Sequence, residues 1–139
     1  MNRIGAPGYT QKRGTSINNT RVNRITLTIF APVLILVGVA GFVIPAQQSL
    51  TSGAPSYNVF HIFFGSVGLI ILWTRKDSLI SLFNLGFGLI DLYQTVASYV
   101  NLPPKQYFML TKGDDILHIV LGLALVIIGG YGIVKRRNV

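Results

Sequence analysis

Four long apolar runs constrain this chain more than any other feature. They occupy residues 25–44, 57–73, 79–100 and 115–134. Each run is close to the roughly 20 residues that a helix needs to cross a bilayer. Half of the 139 residues are hydrophobic and only 12% are charged, which exceeds the apolar content of a soluble domain. We therefore expect an all-α integral membrane protein that forms a four-helix bundle in the lipid bilayer.

The connections between the runs predict two helical hairpins in tandem. Residues 74–78 leave room only for a tight turn, whereas residues 45–56 and 101–114 form longer loops. Hairpins that each cross twice have the same orientation in the membrane. We expect residues 25–139 to form the transmembrane domain, and residues 1–24 to form a basic polar tail with little structure of its own.

The distribution of basic residues predicts the orientation. The formal net charge is +8, and all but Lys105 and Lys112 of the 12 basic residues lie in the tail, in the 74–78 turn or at the C-terminal end. Lysine and arginine accumulate on the cytoplasmic side, so both termini are predicted to be cytoplasmic. The basic residues flank apolar runs and are not interleaved with aromatics, which argues against nucleic acid. The tail is instead expected to meet anionic lipid headgroups or a partner.

A short pattern occurs twice and contains both histidines of the chain. Residues 58–65 and 115–122 share an Asn/Asp, His, Ile, Gly order at identical spacing. The repeat pairs Asn58 with Asp115, His61 with His118, and Gly65 with Gly122. Such self-similarity predicts the duplication of one hairpin unit.

The repeated residues have a structural interpretation and a functional one, in which the histidines bind a cofactor. Asn58 and Asp115 are predicted to cap their helices, and the paired glycines, Gly65 and Gly122, to permit close helix packing. The two histidines would then bond to the cap or to a loop carbonyl. The alternative is that they ligate a noncovalent haem or chlorophyll between the helices. We expect no cofactor, and no metal cluster, because the chain has no cysteine and no clustered ligand motif.

Asp91 is unusual because it lies near the middle of the third apolar run. A charged carboxylate there costs about 2.5–3.5 kcal/mol on insertion scales. Asn84 lies two turns earlier on the same helix face, so this helix has one polar stripe. Asp91 either holds helices together by hydrogen bonds or serves a proton-relay or solute site. Helical rise predicts that it lies about 8–9 Å deeper than His118.

The chain resembles a family of small bacterial four-pass membrane proteins of unknown function. The resemblance covers residues 30–131. It is carried by residues 36–42, by the Asn58-Val59-Phe60-His61 segment and by the Asp115-Ile116-Leu117-His118 segment. The family is common in actinobacteria and cyanobacteria, which implies a bacterial plasma membrane or a thylakoid membrane. It supplies no substrate and no catalytic residue.

These observations favour a nonenzymatic protein, because no nucleophile, metal cluster or pair of catalytic carboxylates can be assembled. The leading hypothesis is an accessory or regulatory subunit that packs against a larger membrane complex or a second copy of itself. One alternative is a porphyrin-binding module that uses His61 and His118. Another alternative is a small transporter or proton conduit that uses Asp91 and Asn84.

Overall fold

The computed structural model describes residues 11–137, with side chains described for residues 19–45 and 47–135. The described chain is all-helical, as the apolar runs predict. The helices are α1 (Gln11–Val43), α2 (Pro55–Thr74), α3 (Asp77–Val100), α4 (Lys105–Phe108) and α5 (Lys112–Arg137), with a 3-10 turn at Ala46–Gln48. Four of these helices are long and apolar enough to cross a membrane. Length and composition thus make the chain a multi-pass membrane protein.

The long helices run alternately up and down, which gives the bundle two distinct ends. At one end, the Arg24 side chain of α1 pairs with Asp77 at 2.6 Å, and Asn23 bonds to the Ile128 carbonyl of α5. We call this the tail end. At the other end, which we call the loop end, Ser52 of the first loop bonds to Asp114 of α5. The most extensive contacts join α1 to α2 and α3 to α5, and α1 also packs against α3 and α5.

Glycines set the distance between the paired helices. An added Cβ at Gly65 of α2 would lie 2.7 Å from the Ala31 carbonyl oxygen of α1. At Gly122 of α5 it would lie 3.0 Å from the Gly88 carbonyl oxygen of α3. A Cβ at Gly65 would force the helices apart, and one at Gly122 would be tighter than most carbon contacts, so these helices approach backbone to backbone.

An aromatic layer fills the middle of the bundle, where Phe87 is only 3% exposed. The ring of Phe87 packs on those of Phe30, Phe64 and Phe83 at centroid distances of 5.3, 5.4 and 5.8 Å. Leu27 and Ile80 continue this core toward the tail end. Offset and edge-on ring contacts of this kind are the arrangements that aromatic pairs prefer, and Phe30 and Phe87 also border the cavity described below.

The helices extend beyond the predicted boundaries. The expectation that residues 1–24 have little structure is wrong for residues 11–24, which continue α1, whereas residues 1–10 lie outside the described residues. Tertiary bonds explain the difference, because Asn23 and Arg24 are bonded to α5 and α3. At the loop end, α2 begins at Pro55 and α5 begins at Lys112, two and three residues before the apolar runs.

Candidate functional site

A small cavity with mainly apolar walls and a few polar groups lies between the helices in the half of the bundle nearer the loop end. Its volume is about 60 Å³, and its polar groups come from Thr51, Tyr57, His61, Asp91 and His118. We call it the His–Asp cavity. Its apolar walls are formed by Phe30, Val33, Leu34, Val37, Phe87, Leu117 and Leu121. Because a water molecule occupies about 30 Å³ in the liquid, the cavity has room for one or two water molecules.

His61 has a defined tautomer in this site. Its Nδ1 lies 2.8 Å from the backbone carbonyl oxygen of Tyr57, one helical turn earlier. A carbonyl oxygen can only accept, so the Nδ1–H must donate and the neutral ring keeps its lone pair on Nε2. The Tyr57 ring lies against the imidazole at a tilt of 45°, with the ring centroids 4.1 Å apart. His61 therefore borders the cavity with a fixed orientation and one free proton-accepting nitrogen.

His118 is held differently, although it is the partner of His61 in the repeat. The side chain is 3% exposed, and both ring nitrogens are buried without a hydrogen-bond partner among the described residues. A buried polar group without a partner costs about 1–3 kcal/mol, so such a group marks a site that water or a proton partner completes. His118 is one of the residues that line the His–Asp cavity.

Asp91 is the acidic group of the cavity and is 2% exposed. Its backbone carbonyl accepts a bond from Thr95 Oγ1 at 3.3 Å, and Asp91 lines the same cavity as the two histidines. The predicted depth difference from His118 is therefore wrong. Gly88 of α3 lies against Gly122 of α5, and the two helices are antiparallel. This register brings Asp91, three residues after Gly88, close in depth to His118, four residues before Gly122.

Asp114, and not its neighbour, forms the cap of α5. The Asp114 carboxylate accepts from the Thr111 backbone N–H at 2.8 Å, and the Asp114 backbone N–H donates to Thr111 Oγ1 at 3.3 Å. This reciprocal pair is a capping box. The carboxylate also accepts from the Ser52 backbone N–H at 3.0 and 3.1 Å. The first loop is thereby held over the loop-end side of the bundle, beside the cavity.

The prediction that Asn58 and Asp115 cap their helices is consequently wrong. The Asn58 backbone N–H donates to the Ala54 carbonyl, which places Asn58 inside α2 after an N-terminal Pro55. Proline is favoured at the first helical position because no hydrogen bond is lost there. The Asn58 amide instead donates to the Gly53 carbonyl at 3.3 Å, and Asp115 accepts from Ser98 Oγ at 3.1 Å.

Asn84 belongs to a second polar cluster nearer the tail end. Its amide donates to both the backbone and side-chain oxygens of Asn23, at 3.1 and 3.0 Å. The aromatic layer around Phe87 lies between this amide pair and the His–Asp cavity. Asp91 and Asn84 share one helix face, as predicted, but they do not form one continuous site.

Two buried polar residues carried no clear signal in the sequence, and of these only Tyr57 borders the cavity. Tyr57 is predicted to be an interfacial anchor because it stands at the start of an apolar run, but it is 2% exposed and borders the cavity. Gln94, one turn after Asp91, is 1% exposed, and neither of its amide atoms has a partner within the described side chains. The position of Gln94 three residues after Asp91, on the same helix face, is the feature of the sequence that could have indicated it.

The cavity is smaller than the sites that usually hold a molecule as large as a porphyrin. Sites for ligands of that size occupy about 300–1,000 Å³, whereas the space beside His61 and His118 is about 60 Å³. No group of three or more histidine, cysteine or acidic side chains suited to a metal ion is present in the described part of the chain.

No family model matches this chain, and neither a curated protein nor a solved structure matches it. The function is therefore argued from the cavity itself.

A prediction on pigment follows from the cavity volume. We expect protein purified from its native membrane in mild detergent to show no haem or chlorophyll band in the visible spectrum, because the two imidazoles leave no space for the macrocycle. An absorption band that is lost in both His61→Ala and His118→Ala would contradict this expectation and establish a cofactor site.

Proposed function

We propose that this chain is a nonenzymatic regulatory membrane protein that binds a proton in the His–Asp cavity. The observation that carries the proposal is that Asp91, His61 and His118 border one small cavity inside the bundle. Ionisable residues within a membrane segment are costly and are functional by default. A site with room for only one or two waters suits a proton better than a larger solute.

The geometry suggests how a proton would be exchanged. The Nε2 lone pair of His61 can accept a proton while Nδ1–H stays bonded to the Tyr57 carbonyl. A water in the cavity can connect this nitrogen to the Asp91 carboxyl and to His118. Asp91 would be neutral when protonated and negative when deprotonated, so each exchange changes the charge between α3 and the helices that face it. In surroundings this apolar, that change would alter helix packing.

Two glycines support the regulatory part of the proposal. Gly86 has no atom within 4 Å of the position of an added Cβ, and at Gly130 the nearest atom lies 3.9 Å away. Gly86 lies on α3 and Gly130 lies on α5, and neither glycine is needed for close packing between the helices of the bundle. Small residues on an outward face let another membrane helix approach closely. A larger complex or a second copy of the chain would pack there, in a bacterial plasma membrane or a thylakoid membrane.

Cross-linking of the full-length chain in native membranes at two pH values tests this proposal. We expect the cross-linked products to differ between mildly acidic and neutral pH, since the protonation of the cavity alters the α3–α5 surface. The difference should vanish in Asp91→Asn and persist in Asp77→Asn, which removes a carboxylate of the tail-end ion pair. Products that are identical at both pH values in the native chain would refute a proton-driven regulator.

A proton conduit is the second candidate, because buried polar groups lie on both sides of the aromatic layer. A conduit would require this layer to part and let water join Asp91 to Asn84, in the way that hydrophobic constrictions gate other pores. Proteoliposomes with a trapped pH dye distinguish the two functions. The regulator predicts no proton flux above that of protein-free vesicles, and a flux that is lost in Asp91→Asn would favour the conduit.

We also propose that the two helix pairs are tandem hairpins whose tail end is cytoplasmic. Ten of the 12 basic residues lie outside the loop-end loops, in agreement with the preference of lysine and arginine for that side. The absence of cysteine allows a direct test with single-cysteine variants in intact cells. Met109→Cys should react with a membrane-impermeant maleimide and Lys76→Cys should not. The reverse pattern would invert the orientation.

A further inference from the structure

A second pocket opens at the loop end. It has a volume of about 410 Å³ and lies between the end of α3, the short helix α4 and the start of α5. Its polar lining comes from Ser98, Tyr99, Lys105, Thr111, Lys112 and Asp115. The pocket is independent of the His–Asp cavity, and the proton proposal makes no use of it.

Asp115 lines this pocket with a largely buried carboxylate. The side chain is 7% exposed, and its Oδ2 accepts from Ser98 Oγ at 3.1 Å. Its Oδ1 is buried and has no hydrogen-bond partner among the described residues. A buried carboxylate without a compensating charge is costly, and Asp115 forms no ion pair in the described part of the chain. The Asp115 carboxylate therefore favours a ligand that carries N–H groups and positive charge.

Two lysines supply the opposite charge on the wall of the same pocket. Lys105 and Lys112 are the two basic residues of the loop end, and neither forms an ion pair with Asp115 in the described part of the chain. The Lys105 ammonium group donates to Asn101 Oδ1 at 2.8 Å, which leaves its charge uncompensated. Paired ammonium groups attract phosphate oxygens.

We propose that this pocket binds a phosphoethanolamine group, with the phosphate between Lys105 and Lys112 and the primary ammonium beside the Asp115 carboxylate. The pocket adjoins the ends of two membrane-spanning segments, which finish at Val100 and begin at Lys112. Lipid headgroups are found at this level, and the exposed Tyr99 is typical of it. The group can come from a phospholipid or from a soluble phosphoethanolamine ester.

Native mass spectrometry of the full chain with equimolar phosphatidylethanolamine and phosphatidylcholine of identical acyl chains tests the assignment. A quaternary ammonium has no N–H to donate, so the ethanolamine lipid should give at least about a fivefold excess of the first adduct, as expected for one charge-assisted hydrogen bond. The excess should disappear in Asp115→Asn, which keeps an acceptor for Ser98. Lys112→Gln should weaken the binding of both lipids.

Charge-matched controls at the tail end make the test specific. Asp77→Asn and Lys76→Gln change the same charges away from the pocket and should keep the excess. If soluble phosphoethanolamine at millimolar concentration displaces the first adduct, the free ester is the source of the group, and if it does not, the lipid is. Equal adducts of the two lipids on the native chain would overturn the proposal, as would an ethanolamine preference that persists in Asp115→Asn.

Discussion

Replacing Gly88 by alanine is expected to destabilise the bundle, whereas replacing Gly86 by alanine two residues earlier is not. An added Cβ at Gly88 would lie 2.8 Å from both the Gly122 carbonyl oxygen and the Val126 backbone nitrogen. Both atoms belong to the backbone of α5, so they cannot turn away as a side chain can. The α3–α5 pair must separate, at a cost of about 1–3 kcal/mol, typical of an overpacked core.

Gly86 provides the matched control on the same helix. An added Cβ there meets no atom within 4 Å, and alanine is favoured over glycine inside a helix by about 0.5–1 kcal/mol. Unfolding in mixed micelles, followed by far-ultraviolet circular dichroism, should therefore show changes of opposite sign. Equal effects of the two substitutions would mean that α3 and α5 do not approach through their backbones.

Replacing Asp91 by leucine is expected to stabilise the isolated protein, by about 1–3 kcal/mol. Asp91 is 2% exposed and borders a cavity of about 60 Å³, so the substitution removes an ionisable group from an apolar interior and fills adjacent space. A protein that uses Asp91 to bind a proton keeps this destabilising residue because its function requires it. If Asp91 instead held the helices together by hydrogen bonds, the same substitution would destabilise the protein.

Asp114 is the control for this experiment because it is an equally buried acid with a structural role. Its carboxylate accepts bonds from the Ser52 and Thr111 backbone N–H groups and from Thr111 Oγ1. Asp114→Leu leaves these donors unpaired and should destabilise the protein by about 2–4 kcal/mol. Unfolding both variants in micelles distinguishes a proton-binding acid from a structural one. If both substitutions changed the stability in the same direction, Asp91 and Asp114 would not differ in role.

The apolar runs predicted the long helices because membrane helices need length and hydrophobicity, which a sequence displays directly. Helix starts were harder. Pro55 at the first position of α2 and the Thr111–Asp114 capping box set the starts of α2 and α5, whereas the repeat drew attention to Asn58 and Asp115.

The sequence predicted several residues of the candidate site, but not that they lie together. The repeat singled out His61 and His118, and the membrane cost of a carboxylate singled out Asp91. Their meeting at one cavity depends on the register of α3 against α5, which the Gly88–Gly122 contact sets and no local pattern encodes. Tyr57 was misplaced for a related reason, because burial at a helix start depends on the loop that covers it.

The claim that the His–Asp cavity binds a proton can be measured directly, since the chain has only four acidic residues and two histidines. Protein labelled with carbon-13 at the aspartate carboxyls and nitrogen-15 in the imidazoles gives few enough NMR signals to assign by Asp91→Asn, His61→Ala and His118→Ala. Titration over roughly pH 5 to 8, the interval in which imidazoles commonly change charge, should shift the Asp91 carboxyl signal together with an imidazole signal. An Asp91 signal that stays unchanged throughout would contradict the proton site.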